Sequence, residues 1–250
     1  MHKSPTEALA KFDAEYAKSR SYVLGIDEAG RGALAGPVVA GAVAISSELY
    51  KNAKFIAVMR GADDSKKLSS SQRDEVFKTL ESLKASGGLD FEAGFASVAE
   101  IEEHNILSAT RMAMARAAAA LDARMNLRLS PAGAPATLFG ERGSDLSKAV
   151  VILDGKPMKN FPYAHIAVVK GDSTSLAVAA ASIVAKVSRD RLMIELAKSY
   201  PRYGFEVHKG YGTAAHMQAL IICGASLAHR PSFLKKLRAD TIIDRQGELF

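Results

Sequence analysis

The chain has one cysteine in 250 residues, Cys223. That excludes a disulfide framework and a thiolate metal cluster, and the lone thiol is expected to be buried. No Cys–His ligand spacing occurs, which argues against zinc. The opening stretch MHKSPTEALAKFDAEYAKSR has no continuous apolar segment, so no signal peptide is expected. No charge-free apolar run of roughly 18 residues exists, so no membrane span is expected. Internal repeats are absent, and so is a G-x-x-x-x-G-K-[ST] phosphate loop. These absences leave a soluble, cytoplasmic protein as the expectation.

What is present is globular: 48% hydrophobic and 24% charged residues, enough for one substantial core. A net charge of +6 and a pI near 9.3 favour polyanionic partners such as nucleic acid. Helical spacing over residues 3–20 puts Leu9, Phe12 and Tyr16 on one side. Strands are expected at 22–28 and 37–45, joined as an antiparallel hairpin through glycines and Pro37. A polar loop, 63–68, leads to a helix capped by Ser69 or Ser70 and running to about Lys84. A third strand is expected over 90–98, then a helix continuing to Met125, whose Met112, Met114 and Met125 read as packing residues. Residues 126–149, with little periodicity, read as a surface loop or insertion. Val150 to Leu153 is a short apolar run typical of a buried strand. Ala164 to Lys170 is another strand, and Gly171 to Ser175 turn into a helix from about Leu176 to Ser199. From His208 the chain is helical, with a basic patch at 235–238 that suits nucleic-acid backbone or solubility. The order implies an α/β domain with a mixed sheet.

Within this frame, acids follow apolar strands three times. Asp27 and Glu28 end the run from Tyr22, Asp154 ends the run from Val150, and Asp172 follows the strand ending at Lys170. Each alone also fits a solvated strand end, a turn or a helix cap. Together they place carboxylates where burial is costly and where they can converge at one sheet edge. An all-oxygen set suits Mg²⁺ or Mn²⁺. Two such ions about 4 Å apart support in-line phosphodiester cleavage, one activating water and one holding the leaving oxygen. One tension is geometric: neighbouring strand residues point to opposite faces, so Asp27 and Glu28 cannot both face one ion from a regular strand. Gly30-Arg31-Gly32-Ala33-Leu34-Ala35 fits a dinucleotide fingerprint, but a strand-like segment follows it where that motif needs a helix. His208, His216 and His229 read as structural rather than as ligands. Asp190, between Arg189 and Arg191, reads as a surface or structural ion pair with Lys186.

Several pieces in order closely resemble ribonuclease HII, the bacterial type 2 ribonuclease H. They are Gly25-Ile26-Asp27-Glu28-Ala29-Gly30-Arg31-Gly32, Asp64-Ser65-Lys66-Lys67-Leu68, Asn105-Ile106-Leu107-Ser108-Ala109-Thr110, Leu153-Asp154-Gly155, Lys170-Gly171-Asp172-Ser173, the stretch from Ala180 to Arg191, and His208-Lys209-Gly210-Tyr211-Gly212-Thr213. The ordered set covers about residues 22–235. The resemblance implies an RNase H-like fold, a mixed β-sheet flanked by helices. It divides the chain into an N-terminal helical extension (1–20), a catalytic domain (21–204) and a helical substrate-binding segment (205–250). It implies an enzyme that hydrolyses the RNA strand of RNA–DNA hybrids and cuts 5′ of single ribonucleotides in duplex DNA, leaving 3′-hydroxyl and 5′-phosphate ends; a monomer is the expectation, which the sequence does not fix. Asp27, Glu28, Asp154 and Asp172 would be the catalytic acids holding Mn²⁺ or Mg²⁺. Gly30, Arg31 and Gly32 would sense the 2′-hydroxyl, Tyr211 would stack on the next deoxyribose, and Lys66 would meet substrate or phosphate. Two departures stand out: the 126–149 loop is longer than the family usually shows, and Cys223 to Arg230 follows the family pattern only roughly. The rivals are a non-catalytic nucleic-acid-binding module and another RNase H-like nuclease acting on DNA.

Overall fold

The computed structural model describes residues 4–62, 68–133 and 147–235. Helix α1 (Pro5–Ala17) is capped by Ser4, whose hydroxyl accepts from the Glu7 amide. Strands β1 (Tyr22–Ala29) and β2 (Val38–Ser46) follow, then a short α2 (Ala53–Val58) and α3 (Ser70–Ser86). Helix α3 starts on a reciprocal capping box between Ser69 and Gln72. Next come β3 (Leu89–Ala96), α4 (Val98–Met125), β4 (Ala149–Asp154), β5 (Ile166–Val168), α5 (Leu176–Ser199), α6 (Phe205–His208) and α7 (Ala214–Cys223). Helix α4 breaks at Asn105 (φ 65), whose side chain recaps the second segment by accepting from the Leu107 and Ser108 amides. The expected elements are present with shifted ends, except that the stretch read as helical from His208 is non-helical over 209–213 and 224–230, on either side of α7. Helix α2 was not read in the sequence, and Cys223 is only half-buried at the end of α7. Among the described residues no helix is long and apolar enough to cross a membrane.

The five strands order as β3-β2-β1-β4-β5. Strands β1 and β2 run antiparallel, while β1–β4 and β4–β5 run parallel, so the sheet is mixed. The chain divides into two compact units, one of Met1–Ala29, Val39–Phe95 and Arg111–Ser188, the other of Gly30–Val38, Ala96–Thr110 and Arg189–Phe250.

In the first unit, one sheet face (Val23, Val43, Ile45 and Ile152) shares a core with Leu9 and Ala10 of α1 and with the buried run from Leu176 to Val187. That run is rich in alanine, and glycines lie beneath it. A Cβ on Gly25 would overlap the Ala177 backbone, and one on Gly41 would overlap the Ala181 carbonyl. Helix backbone therefore rests directly on strand backbone. Asp13 of α1 reaches across this core: its carboxylate accepts from the Ala177 amide (2.8 Å) and the Tyr50 hydroxyl (3.1 Å), capping the first turn of α5.

The second unit has its own small core of Ala35, Met193, Ala197, Tyr203, Phe205 and Ala228. Its 30–38 segment is tied by main-chain bonds: the Leu34 amide donates to the Gly210 carbonyl, the Gly36 amide to Ala228, and the Arg230 amide to Leu34.

Candidate active site

The sheet register explains how the first unit gathers its acids. The parallel pairing of β1 with β4 runs from Tyr22↔Ala149 to Ile26↔Leu153. Asp27 and Asp154 each stand one residue beyond that last pair, so they occupy the same row on adjacent strands and point to the same face. Asp154 pairs in turn with Val168. A few residues on, after Lys170 in the left-handed region (φ 57), the tight turn Gly171–Ser173 carries Asp172. The Gly171 amide donates to Asp154 Oδ1 at 2.6 Å, which ties the turn to the end of β4. Asp172 is buried, and Asp154 is half-buried.

Asp27 shares its face with Gly25 and lies directly across from Gly41. Both glycines sit under α5, so Asp27 is covered by that helix. Ser182 of α5, itself buried, hydrogen-bonds the Asp27 carboxylate, and Lys186 one turn on donates to Ser182 Oγ at 2.9 Å. Burial pushes the Asp27 carboxyl up to about 7, and the neighbouring negative charges of Glu28 and Asp154 push the same way. Strand β1 continues through Ala29, so alternation sends Glu28 to the opposite face from Asp27. The Glu28 amide meanwhile donates to Asp27 Oδ1 at 2.7 Å. Glu28 therefore does not stand within the Asp27–Asp154 row, although its charge acts on the Asp27 carboxyl.

This donor set fits a hard divalent ion chemically. All donors are carboxylate oxygens, and their mutual repulsion already disfavours the charged form of Asp27, which a dication would relieve. Among the described residues no three His, Cys, Asp or Glu side chains form a ready-made cage around a single point. The fit is thus one of chemistry and placement.

The second unit holds Gly30, Arg31, Gly32 and Tyr211. Arg31 and Gly32 are exposed, while Gly30 is buried. Gly30 adopts φ +89, and a Cβ there would overlap the Arg189 guanidinium; Gly32 has open space where its Cβ would be. Tyr211 is 42% exposed, and its ring stacks on Arg189 with Cζ 5.1 Å from the ring centre. Lys66 and its neighbours 63–67 lie outside the described residues, as do 134–146 of the expected insertion and 236–238 of the basic patch.

Sequence reasoning did not single out Ser182, Lys186, Arg189 or Arg230 for the site. Ser182, Lys186 and Arg189 recur at helical spacing, a signal that a search for polar residues on one side of an alanine-rich helix would have raised. Arg189 is fully buried and donates to the carbonyls of Ala35 (3.2 Å) and Pro37 (3.1 Å). Arg230, also fully buried, donates to Gly36 (2.9 Å) and Arg31 (3.1 Å). Burial pushes the Arg230 guanidinium down to about 9, and the like charge of Arg189 adds to the shift. Two buried cations thus brace the loop that carries Gly30, Arg31 and Gly32.

Comparison with known proteins gives a consistent result. Residues 24–236 match the family model described as Ribonuclease HII. The chain is 40% identical over 232 residues to a ribonuclease HII of Clostridioides difficile, covering 92% of this chain and 77% of that one. In fold it is similar to the ribonuclease H2 of Pyrococcus horikoshii, with a TM-score of 0.59 at 24% identity over 88% of this chain and 98% of that one. It is similar too to the Bst-RNase HIII solved in complex with Mn²⁺, with a TM-score of 0.54 at 17% identity over 83% of this chain and 72% of that one.

Proposed function

Because this chain belongs to the ribonuclease HII family, and is therefore a metal-dependent RNase H endoribonuclease acting on nucleic acid, we propose that it also nicks duplex DNA 5′ of single embedded ribonucleotides. We propose further that Asp27, Glu28, Asp154 and Asp172 hold the ions, Mg²⁺ or Mn²⁺. That Bst-RNase HIII, similar in fold, was solved in complex with Mn²⁺ supports a divalent ion. The observation that carries the reading is the row of Asp27 and Asp154 at the end of the parallel ladder, with the Asp172 turn tied to Asp154.

The bound ions supply Lewis-acid stabilisation of the charge that develops at phosphorus and activation of the attacking water. The chain's own residues do the rest. Ser182 and the Glu28 amide both bond the Asp27 carboxylate, so its orientation is fixed before substrate arrives. The Gly171 amide does the same for Asp154. Both are the kind of preorganisation that lowers reorganisation cost during reaction.

For selection, exposed Arg31 and Gly32 offer backbone and one cation to the 2′-hydroxyl, the group that separates RNA from DNA. Gly32 has no neighbour at its missing Cβ, so a strand can approach its main chain closely. Tyr211 offers an exposed ring face whose other side is occupied by Arg189. Lys66 is assigned to a phosphate on the strength of the resemblance, residues 205–250 to substrate binding, and the working unit to a monomer.

The test is cleavage of a DNA duplex carrying one ribonucleotide, with Mg²⁺ and Mn²⁺ in turn, and mapping of the cut. A nick 5′ of the ribonucleotide with 3′-hydroxyl and 5′-phosphate ends is expected. Cleavage of long hybrids with no nick at an isolated ribonucleotide under either ion overturns the selective part of the reading.

A further inference from the structure

Tyr211 lies in neither a helix nor a strand: it follows left-handed Lys209 and Gly210 after α6 and precedes α7. What holds it is a chain of histidines inside the second unit. His216 and His229 are fully buried and His208 nearly so. His216 Nδ1 is 3.0 Å from the Tyr211 carbonyl, and its Nε2 is 3.0 Å from His229 Nε2. His229 Nδ1 accepts from the Ser226 amide at 3.0 Å, with the Ser226 hydroxyl at 2.9 Å. The His208 ring stacks on His216 at 4.3 Å between centres, with its Nε2 2.6 Å from the Tyr203 carbonyl and its Nδ1 accepting from the Gly210 amide.

The end groups settle where the protons are. An amide can only donate, so His229 Nδ1 is an acceptor and its proton sits on Nε2. A carbonyl can only accept, so His216 carries its proton on Nδ1 and presents a bare Nε2. The His229 Nε2–H therefore points at His216 Nε2, and every bond runs one way: Ser226 amide to His229, His229 to His216, His216 to the Tyr211 carbonyl. The same logic gives His208 a proton on Nε2, donated to Tyr203. All three rings are satisfied only when neutral. An extra proton would set two N–H groups against each other, in keeping with the lowered values of His216 and His229, for both of which burial is the main cause.

We propose that this Ser226–His229–His216 chain is a positioning device for Tyr211, fixing its main chain so that its exposed ring is held ready to stack on the nucleotide beside the ribonucleotide. It rests on the reading of Tyr211 given above. The Tyr211 carbonyl also accepts from the Thr213 amide at 2.8 Å, and the Gly210 carbonyl accepts from Leu34. The histidine chain adds a side-chain hydrogen bond from the core of the unit to the Tyr211 main chain, beside the contact that Arg189 makes with the ring. His216 and His229 act through Tyr211 and touch no substrate.

The experiment measures the ratio of kcat/KM on a single-ribonucleotide duplex to kcat/KM on a long RNA–DNA hybrid. Four proteins are compared: His216→Phe, His216→Asn, Tyr211→Ala, and Tyr211→Ala combined with His216→Phe. His216→Phe should lower the ratio about tenfold, the order expected for one lost orienting hydrogen bond. His216→Asn, whose amide nitrogen takes the place of Nδ1, should keep the ratio within about threefold of the parent. In the Tyr211→Ala background His216→Phe should add less than about twofold, because the main-chain carbonyl remains but the ring it positions is gone. If Tyr211→Ala leaves the ratio unchanged, the role given to Tyr211 fails and the inference fails with it. If Tyr211→Ala collapses the ratio but a folded His216→Phe does not, Tyr211 keeps its role and the inference alone is overturned. Equal losses for Phe and Asn, or a full loss repeated in the Tyr211→Ala background, overturn it as well. Should His216→Phe not fold, His229→Gln and His229→Leu decide: the inference requires the donor-retaining Gln to preserve the ratio and Leu to lose it, and equal behaviour overturns it.

Discussion

Asp13 and Asp27 are buried acids beneath the same helix, and burial pushes both carboxyls up to about 7. Their company differs. Around Asp13 every named contact is a donor: the Tyr50 hydroxyl, the Ala177 amide, and the Ser175 and Leu176 groups at the start of α5. Around Asp27 two further acids, Glu28 and Asp154, raise its pKa beyond what burial does. The first aspartate completes a helix terminus. The second stands among like charges that no hydrogen bond removes. Burial of an acid is therefore no mark of function by itself; accumulated charge of one sign is.

That contrast can be broken most sharply by activity. Asp27→Asn should lower turnover on any RNA–DNA substrate by about 10³-fold or more, as for loss of a group that stabilises transition-state charge. Asp13→Asn should leave turnover within about threefold, since it keeps an acceptor for Ala177. Steady-state cleavage of a hybrid checks both, and near-native turnover for Asp27→Asn would remove that residue from the site. Next in size, Asp13→Ala strands the Ala177 amide and the Tyr50 hydroxyl in the core. It should cost about 3 kcal/mol, a fall of about 6–12 °C in Tm for a chain of this size, with activity per folded molecule retained. A thermal melt with parallel assays measures it.

A third expectation concerns pH in the presence of EDTA. Both acids have folded-state values raised above the ordinary 3.8. The folded chain therefore binds more protons than the unfolded chain between about pH 4 and 7, and stability falls as pH rises through that window. Each acid contributes at most about 1.4 kcal/mol per pH unit. Urea unfolding from pH 5 to 8 should show a shallower fall for Asp13→Asn and for Asp27→Asn. Added Mg²⁺ at pH 8 should restore stability in the parent and in Asp13→Asn but not in Asp27→Asn. The smallest effect separates two glycines of one loop. Gly32→Ala should leave Tm within about 1 °C, because its Cβ would enter open space, yet impair cleavage. Gly30→Ala should lower Tm measurably, because its Cβ would meet Arg189 and its φ is +89.

The strands and their terminal acids were legible because both signals are local: an apolar run, then a charge. Helix α5 was legible to the residue for the same reason. What the sequence hid depends on contacts between distant positions. The Asp13–Ala177 bond joins residues 164 apart, the Arg189–Ala35 bond 154 apart and the Arg230–Gly36 bond 194 apart. No window along the chain contains such a pair. The histidines were read as structural, which is right about their burial and silent about what they hold. Glu28 shows the reverse case: alternation foresaw that it could not share a face with Asp27, and β1 continuing through Ala29 is the reason.

The seam of Gly25 and Gly41 against Ala177 and Ala181 has one more consequence. Where main chain rests on main chain, no rotamer exists to absorb an error. Ser182 follows Ala181, so the height of α5 above the sheet is also the reach from its hydroxyl to Asp27. A single methyl added at position 41 would lift the helix and lengthen that reach. The fold thus uses the smallest residues as a gauge, and the reach from Ser182 to Asp27 is inherited from the thickness of a peptide plane.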